Sequence, residues 1–357
     1  MFRLVLTVLA GALAVSAIAC GDAKLYPYVR TKPPTNCLAT DVMLGFAAVA
    51  SSGTDGGAPA GPTTGGGDLP PFPVHDIEGL TAELHRSEPR VILLDGMLTA
   101  SDTIKVTLDK DMRNGNKTLI GVGANSGLTG AGLDLGYSDN VIVRNLKISR
   151  VSIGEGDAIT VLDSHHIWID HCDLSSDREG AAAGTDGLVD ITHGSSFVTV
   201  SWTLFHDHKD TTLVGHTPNP TPEQQAEDEG LSVTYHHNGF FKVNSGPRIR
   251  WGTAHVANNH FDDITSFGIV SDSAATVFVD SNMFEDNVLM NAVTTSYGDP
   301  IPGAMIESGD RFPAGFKLDI MRPTVAPPPL PYSYNADMPA SVVPLVMYCA
   351  GTGKLPF

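Results

Sequence analysis

A pattern of alternating apolar and polar residues recurs along the middle of the chain. Six nine-residue segments alternate over about four positions, continue with small or polar residues, and end on a bulky apolar residue. They are residues 140–148, 166–174, 197–205, 232–240, 253–261 and 276–284. Their starts are 26, 31, 35, 21 and 23 residues apart, the length of one turn of a solenoid with loops of variable size.

Alternation with a period of two predicts short strands, and this spacing predicts strands stacked in parallel. We therefore expect an all-β fold, a single-stranded right-handed parallel β-helix; helical repeats do not fit the period. A β-sandwich also has many short strands, but it does not predict side chains that recur in register. Such columns are the seventh-place Asn238, Asn259 and Asn282 and the ninth-place Phe205, Phe240, Phe261 and Phe284. Stacked Asn side chains would form a hydrogen-bonded ladder.

The chain outside the repeats divides at changes of composition. A short helix at about 77–87 and a strand at 90–95 are expected to open the β-helix. The regions are a signal peptide (1–19), an N-terminal cap with a Gly/Pro-rich loop (20–73), the β-helix (74–321) and a Pro-rich C-terminal tail packed on the β-helix (322–357).

The N-terminal sequence MFRLVLTVLAGALAVSAIAC has the features of a secretory signal. One Arg precedes an apolar run that ends in Ala17-Ile18-Ala19, a cleavage-site pattern. The run is short for a membrane anchor, and a lipoprotein acylated on Cys20 is the other alternative. Secretion permits disulfides among the four cysteines, but their pairing does not follow from the sequence. These are Cys20, Cys37, Cys172 and Cys349.

Charge limits the possible partners. The 357 residues include 40 acidic and 22 basic side chains, for a net charge of −18. A nucleic acid is therefore a poor partner, because phosphate binding requires a basic surface. An acidic ligand would need local cations or a bridging metal.

Two pairs of acidic residues precede predicted strands on neighbouring turns. Glu155 and Asp157 are two residues apart, on the same side of an extended segment, and Asp186 and Asp190 are four apart. We expect the four carboxylates to converge on one face, where a cation must neutralise them. Hard oxygen ligands in a flexible arrangement suit calcium, whereas any one of these acids alone would be an ordinary solvated loop charge.

Two histidine-containing segments offer a weaker metal hypothesis. The segment HIWIDHCDLSSD and the residue before it match no usual zinc spacing, so Asp170 and His171 are expected to be hydrogen-bonded within a turn. The segment HDHKDTTLVGH fits a polar loop as well as it fits a site.

Several of these segments, taken together and in order over about residues 75–300, resemble the secreted pectate lyase family of β-helix polysaccharide lyases, particularly its fungal members. They are NKTLIGVGANSGLTGAGL, NVIVRNLKIS, HIWIDHCDLSSD, DGLVDITHGSSFVTVSWTLFHDH, LVGH, VTYHHNGFF and PRIRWGTAHVANNHF. The resemblance implies a pectin lyase-like fold and calcium-assisted β-elimination of de-esterified pectin in the plant cell wall. It also implies a secreted enzyme, which we expect to be a monomer free of the membrane.

The resemblance assigns roles to individual residues. Glu155, Asp157, Asp186 and Asp190 occupy its metal-ligand positions, with Glu155 in place of a more usual Asp. Its catalytic base is an arginine that opens an R-x-P-x-x-R pattern.

The chain departs from the family at two basic positions. In the arginine pattern, Ser245 occupies the first place and Arg250 the last. A substrate-binding lysine is replaced by Asp210, and Lys209 lies one place earlier. Arg248, Arg250 and Lys209 are therefore the catalytic candidates, Arg248 and Lys209 on the condition that the local register has shifted.

Two other functions remain open. A pectin lyase acting on methylated pectin without calcium is disfavoured by the acidic cluster, since that family replaces calcium by basic side chains. A non-catalytic β-helix that binds acidic polysaccharide is favoured by the replaced Arg and Lys.

Overall fold

The computed structural model describes residues 37–53, 59–176 and 184–356, so the predicted signal peptide and Cys20 lie outside the described residues. Helices are few: α1 is Ile77–Leu84, α2 is Pro222–Asp228 and α3 is Pro339–Cys349, with single 3-10 turns at Leu38–Thr40 and Phe46–Ala48. No helix in the described ranges is long and apolar enough to cross a membrane.

Strands make up the body of the molecule. In chain order they are β1 (Phe72–Val74), β2 (Arg90–Leu94), β3 (Met97–Thr99), β4 (Ile104–Lys105), β5 (Asn114–Gly121), β6 (Gly127–Thr129), β7 (Leu133–Asp134), β8 (Ser138–Arg144), β9 (Lys147–Ser149), β10 (Ile159–Leu162), β11 (His165–Asp170), β12 (Asp173–Ser175), β13 (Val189–Thr192), β14 (Ser196–Ser201), β15 (Leu204–Val214), β16 (Ser232–His236), β17 (Gly239–Arg250), β18 (Thr253–Ala257), β19 (His260–Phe267), β20 (Ile269–Asp272), β21 (Thr276–Asp280), β22 (Met283–Phe284), β23 (Val293–Thr294) and β24 (Ala304–Ser308).

The strands stack in parallel into two sheets. The first has ten strands in the order β1-β2-β5-β8-β11-β14-β16-β18-β21-β24, and the six repeats supply its consecutive members from β8 to β21. The second, of 14 strands, consists of two strips that merge where β15 and β17 run without interruption from one strip into the other. This stack confirms the predicted parallel β-helix.

The ninth-place phenylalanines form a column inside the coil. The rings of Phe205, Phe240, Phe261 and Phe284 stack nearly parallel, with centroids 4.8, 4.9 and 4.5 Å apart. All four are fully buried in a core otherwise made mainly of Val, Ile and Leu. The sequence column therefore corresponds to one continuous aromatic stack.

The predicted Asn ladder is also present. The side-chain amide of Asn238 donates to Oδ1 of Asn259 at 3.0 Å, and that of Asn259 donates to Oδ1 of Asn282 at 3.0 Å. The ladder ends on a carboxylate, because Asn282 donates to Oδ1 of Asp310 through its backbone at 2.6 Å and its side chain at 2.8 Å. Nothing in the repeat pattern identified Asp310.

Asp310 is expected to make stability depend on pH. Burial raises the pKa of Asp310 from 3.8 to about 8, against hydrogen bonds from Asn282 that lower it. The folded protein thus keeps a proton that the unfolded chain loses near pH 4, so this contribution to stability is complete below pH 4 and is lost as pH rises through about 8. We expect Asp310→Asn, which needs no proton, to be more stable than wild type by ~2 kcal/mol at pH 9.

Urea unfolding of both proteins at pH 5 and pH 9 measures this difference. Identical pH dependence in the two proteins would contradict it.

Both ends of the described chain pack against the side of the stack. The backbone N–H groups of Phe46 and Ala47 donate to the hydroxyls of Thr234 and Thr199 at 3.1 and 3.0 Å, in the middle of the ten-stranded sheet. The first turn is covered instead by α1, whose Leu80 side chain is fully buried in the core. Residues 37–53 therefore lie beside the coil and not at its N-terminal end.

The C-terminal tail is only partly irregular. Its last part forms α3, which starts with Pro339 in the first turn, where a proline lacks no needed N–H. A disulfide joins Cys37 to Cys349, the last residue of α3, while Cys172 is buried with a free thiol. Both ends of the described part of the chain are thus linked by a bond whose partners the sequence left undetermined.

Candidate active site

An open cavity of about 430 Å³ lies over the two uninterrupted strands, β15 and β17. Strand register explains its lining: Asp190 pairs with Leu213, and Leu213 pairs with Arg248. An acidic and a basic side chain therefore stand in one row, with backbones roughly 10 Å apart. The charged residues that line the cavity are Asp186, Asp190, Lys209, Asp210, Arg248 and Arg250.

The acidic side of the cavity is built around Gly187. Its backbone N–H donates to Oδ1 of Asp157 at 2.9 Å, and the N–H of Leu213 donates to Oδ1 of Asp190 at 3.2 Å. A Cβ atom at Gly187 would overlap that oxygen of Asp190 and approach Asp157 to 3.2 Å. The glycine therefore lets two carboxylates face the same small space.

Burial and neighbouring acids raise the pKa values of both carboxylates. Burial raises the pKa of Asp157 to about 6, and the charges of Asp186 and Glu155 add to the rise. Burial also raises the pKa of Asp190 well above its usual value, with further contributions from Asp157 and Asp186. The four acids thus interact electrostatically, and the cluster is unfavourable without a cation.

The donor set suits calcium in its chemistry, because carboxylate oxygens are the ligands that this ion prefers. The side chains do not converge on one point: within the described ranges, no three His, Cys, Asp or Glu side chains are arranged to hold a metal ion. Glu155 and Asp186 are exposed, and Asp157 is buried. The metal-ligand assignment of the four acids remains a prediction.

The opposite side of the cavity holds the two arginines. Nη2 of Arg248 donates to Asp272 and to Asp299, at 2.8 Å each, and Nε of Arg250 donates to Asp299 at 2.8 Å. The strand β17 continues through Pro247, so Arg248 reaches the cavity from regular strand and needs no shifted turn. The two side chains share one face because they are two residues apart.

The partners of these arginines were not found from the sequence. Asp272 pairs with Arg250 across the strands, one turn further along, so the register of the repeats could have located it. Asp299 lies in a loop after β23, where no repeat indicates its position. Both carboxylates are almost completely buried.

The middle of the cavity carries the two positions at which the sequence departs from its expected pattern. Asp210 pairs with Ser245 across β15 and β17, and Oγ of Ser245 donates to Oδ1 of Asp210 at 2.9 Å. Ser245 is buried, whereas Lys209 and Asp210 are exposed. The described residues offer the Lys209 ammonium no hydrogen-bond or ion-pair partner. The structure brings all three predicted catalytic residues and two of the four predicted metal ligands to the cavity wall.

Comparison with known proteins decides the family. The pectate lyase family model matches residues 30–355. The chain belongs to the pectate lyase family. It is 37% identical to a probable pectate lyase A of Aspergillus niger over 77% of this chain and 79% of that protein. It is 39% identical to pectate lyase B of Colletotrichum gloeosporioides over 68% of this chain and 70% of that one.

Solved pectate lyase structures share the fold. A pectate lyase of Bacillus sp. N165, solved in complex with trigalacturonate, is 31% identical to this chain with a TM-score of 0.74. The match covers 88% of this chain and 99% of that one. Pectate lyase II of Xanthomonas campestris, at 23% identity and a TM-score of 0.68, supports the fold alone. Pectate lyases are polysaccharide lyases, and this family member is an enzyme of that class.

Within this pectate lyase family member, Asp170 and His208 of the two histidine segments support the structure. Asp170 is fully buried and accepts hydrogen bonds from Arg144, His171 and Ser201, as predicted for a residue held within a turn. His208 was not assigned a role, yet its Nε2 donates to the backbone carbonyl of Asp186 at 2.7 Å. His208 thus fixes the loop that carries one of the predicted metal ligands.

Proposed function

We propose that this enzyme cleaves de-esterified pectin, a chain of α-1,4-linked galacturonate, by calcium-assisted β-elimination. One observation carries the proposal: a single cavity places an acidic cluster and an arginine pair on opposite sides of β15. The acidic side suits a cation that bridges to an anionic polymer, and the arginine side suits the carboxylates of that polymer. The trigalacturonate in the Bacillus relative supports the same substrate class.

Calcium would be held by Glu155, Asp157, Asp186 and Asp190. Bound there, it supplies a positive charge that stabilises the carboxylate beside C5 as that carbon loses its proton. The protein prepares the position through Gly187, which lets Asp157 and Asp190 approach, and through His208, which holds the Asp186 loop.

Arg248 and Arg250 would bind substrate carboxylates. Nη1 of Arg248 has no acceptor among the described residues, so a uronate can use its N–H groups. The Nε atom also lacks an acceptor but is buried. Burial by itself would raise the pKa of Asp299, but the hydrogen bond and charge of Arg250, with Ser273 and Arg248, hold it below its usual value. Ionised Asp299 keeps both guanidinium groups charged and oriented, which favours a clamp over a base.

Lys209 and Tyr297 would complete the substrate surface. The exposed ammonium of Lys209 stands in the middle of the cavity, where it offers a third cation to the polymer. The ring of Tyr297 lies 5.3 Å from the guanidinium of Arg248 and is 40% exposed, so a sugar ring can stack on it.

Secretion and a monomeric state belong to the same proposal. The predicted signal peptide at residues 1–19 and the Cys37–Cys349 disulfide both fit an extracellular enzyme.

The decisive experiment measures the ultraviolet absorbance of the unsaturated product. Polygalacturonate and highly methylated pectin are each incubated with the enzyme, with and without EDTA. We expect product from polygalacturonate that disappears with EDTA and returns with added calcium. If product forms from methylated pectin and EDTA does not reduce it, the result would favour the pectin lyase alternative.

The non-catalytic alternative rests on Ser245 and Asp210, which stand where the family has basic residues. Retention of polygalacturonate with no product from either substrate would establish that alternative and reject the lyase.

A further inference from the structure

β-Elimination requires a group that accepts the proton from C5, and the cavity limits which side chain can do so. Both arginines are ion-paired with buried carboxylates, Arg248 with Asp272 and both with Asp299. Paired in this way, each guanidinium is charged and offers no acceptor atom, unlike the arginine base of the family, and an ammonium such as that of Lys209 has no lone pair. The remaining titratable groups on the cavity wall are the phenol of Tyr297, whose hydroxyl is hydrogen-bonded to Ser266 at 2.6 Å, and the carboxylates of Asp186, Asp190 and Asp210.

These three carboxylates are not equivalent. Asp190 accepts from Leu213 and shares the space at Gly187 with Asp157, and the loop of Asp186 is held there by His208. Both belong to the acidic cluster proposed to bind calcium. Asp210 lies instead on the exposed surface of β15, in register with Ser245.

We propose that Asp210 is the catalytic base that removes the C5 proton. Ser245 donates to Oδ1, which fixes the plane of the carboxylate, and Oδ2 makes no hydrogen bond with the described residues. The buried Ser245 is itself held, because Thr211 donates to its backbone carbonyl at 2.7 Å. A carboxylate oriented by a buried hydroxyl and open on one oxygen can accept a proton from a substrate bound over β15.

The reaction balances without any further reagent. The C5–H bond breaks and its proton goes to Oδ2 of Asp210, while the electron pair becomes the C4–C5 double bond. The C4–O4 bond breaks, and its electron pair leaves with O4, which takes a proton from water. Asp210 then releases its proton to solvent, so the carboxylate is restored.

The test is Asp210→Asn, which keeps the shape and the acceptor oxygen but removes the basicity. This inference rests on the proposed lyase activity, so wild-type enzyme is first assayed with polygalacturonate and saturating calcium. We expect Asp210→Asn to lower kcat by ~10²- to 10⁴-fold with KM nearly unchanged, as for loss of a general base. Formate added to Asp210→Ala should raise its kcat, because a free carboxylate can replace the missing one.

The matched control is Asp207→Asn, a half-exposed carboxylate on the same strand that does not line the cavity and should keep wild-type kinetics. A kcat of Asp210→Asn close to wild type overturns the proposal. So does a loss that excess calcium fully restores, since Asp210 would then be a metal ligand. Wild-type enzyme without product rejects the proposed function itself, whereas active wild type with active Asp210→Asn rejects only the base.

Discussion

Replacing Asp186 and Asp190 together by alanine is expected to abolish calcium-dependent cleavage of polygalacturonate and to leave the fold intact. The two residues carry the carboxylates that line the acidic side of the cavity. A bound metal stabilises developing charge by several kcal/mol, so its loss should lower kcat/KM by ~10³-fold or more. Calcium titration calorimetry should show the binding lost in parallel with the activity.

The fold should survive because the two substitutions remove electrostatic repulsion among neighbouring carboxylates. In the absence of calcium, burial and the charges of Asp157 and Asp186 raise the pKa of Asp190 well above its usual value. In EDTA the double variant should therefore unfold at a temperature no lower than wild type.

The control is Asp109→Ala with Asp111→Ala, two exposed acids in the turn before β5 that should leave activity unchanged. Calcium-dependent turnover in the Asp186/Asp190 variant would refute the metal assignment.

The second large effect concerns stability. Phe261→Ala should lower the free energy of unfolding by ~3–5 kcal/mol, the range for a buried aromatic side chain. Its ring is fully buried between Phe240 and Phe284, with centroids at 4.9 and 4.5 Å. Neighbouring turns cannot close the cavity, because backbone hydrogen bonds fix the distance between them.

Urea unfolding followed by circular dichroism provides the measurement. Phe72→Ala removes the same side chain from a position in β1 that is 50% exposed, and its cost should stay below ~1 kcal/mol. Equal costs at the two sites would show that the stack contributes nothing beyond solvent exposure.

The repeat pattern predicted the β-helix because equivalent positions on successive turns of the coil have the same environment and therefore favour the same residue types. The alternation located six consecutive strands of the ten-stranded sheet, and the recurring Phe and Asn gave the aromatic stack and the amide ladder. The helix expected at about 77–87 is present at Ile77–Leu84, and the strand expected at 90–95 is Arg90–Leu94. Where the structure is periodic, the local sequence pattern is sufficient to predict its strands and side-chain columns.

Contacts between distant parts of the chain could not be predicted in this way. Asp299 reaches Arg248 and Arg250 from a loop that belongs to no repeat, and Asp310 ends the Asn ladder from outside the last repeat. The position of residues 37–53 beside the coil depends on single hydrogen bonds, such as that from Ala47 to Thr199, which leave no periodic trace in the sequence. The pairing of the arginines with carboxylates likewise becomes visible only when the turns are stacked.

The disulfide between Cys37 and Cys349 changes how the molecule carries mechanical load. A solenoid pulled from its two ends unravels turn by turn, because each turn is held only by its neighbours. Here the bond joins residues separated by 312 positions, beside Trp202 at the middle of the stack. Tension between these two points passes through the sulfur–sulfur bond and bypasses every strand. The coil therefore bears no tensile force from these points until the bond is reduced.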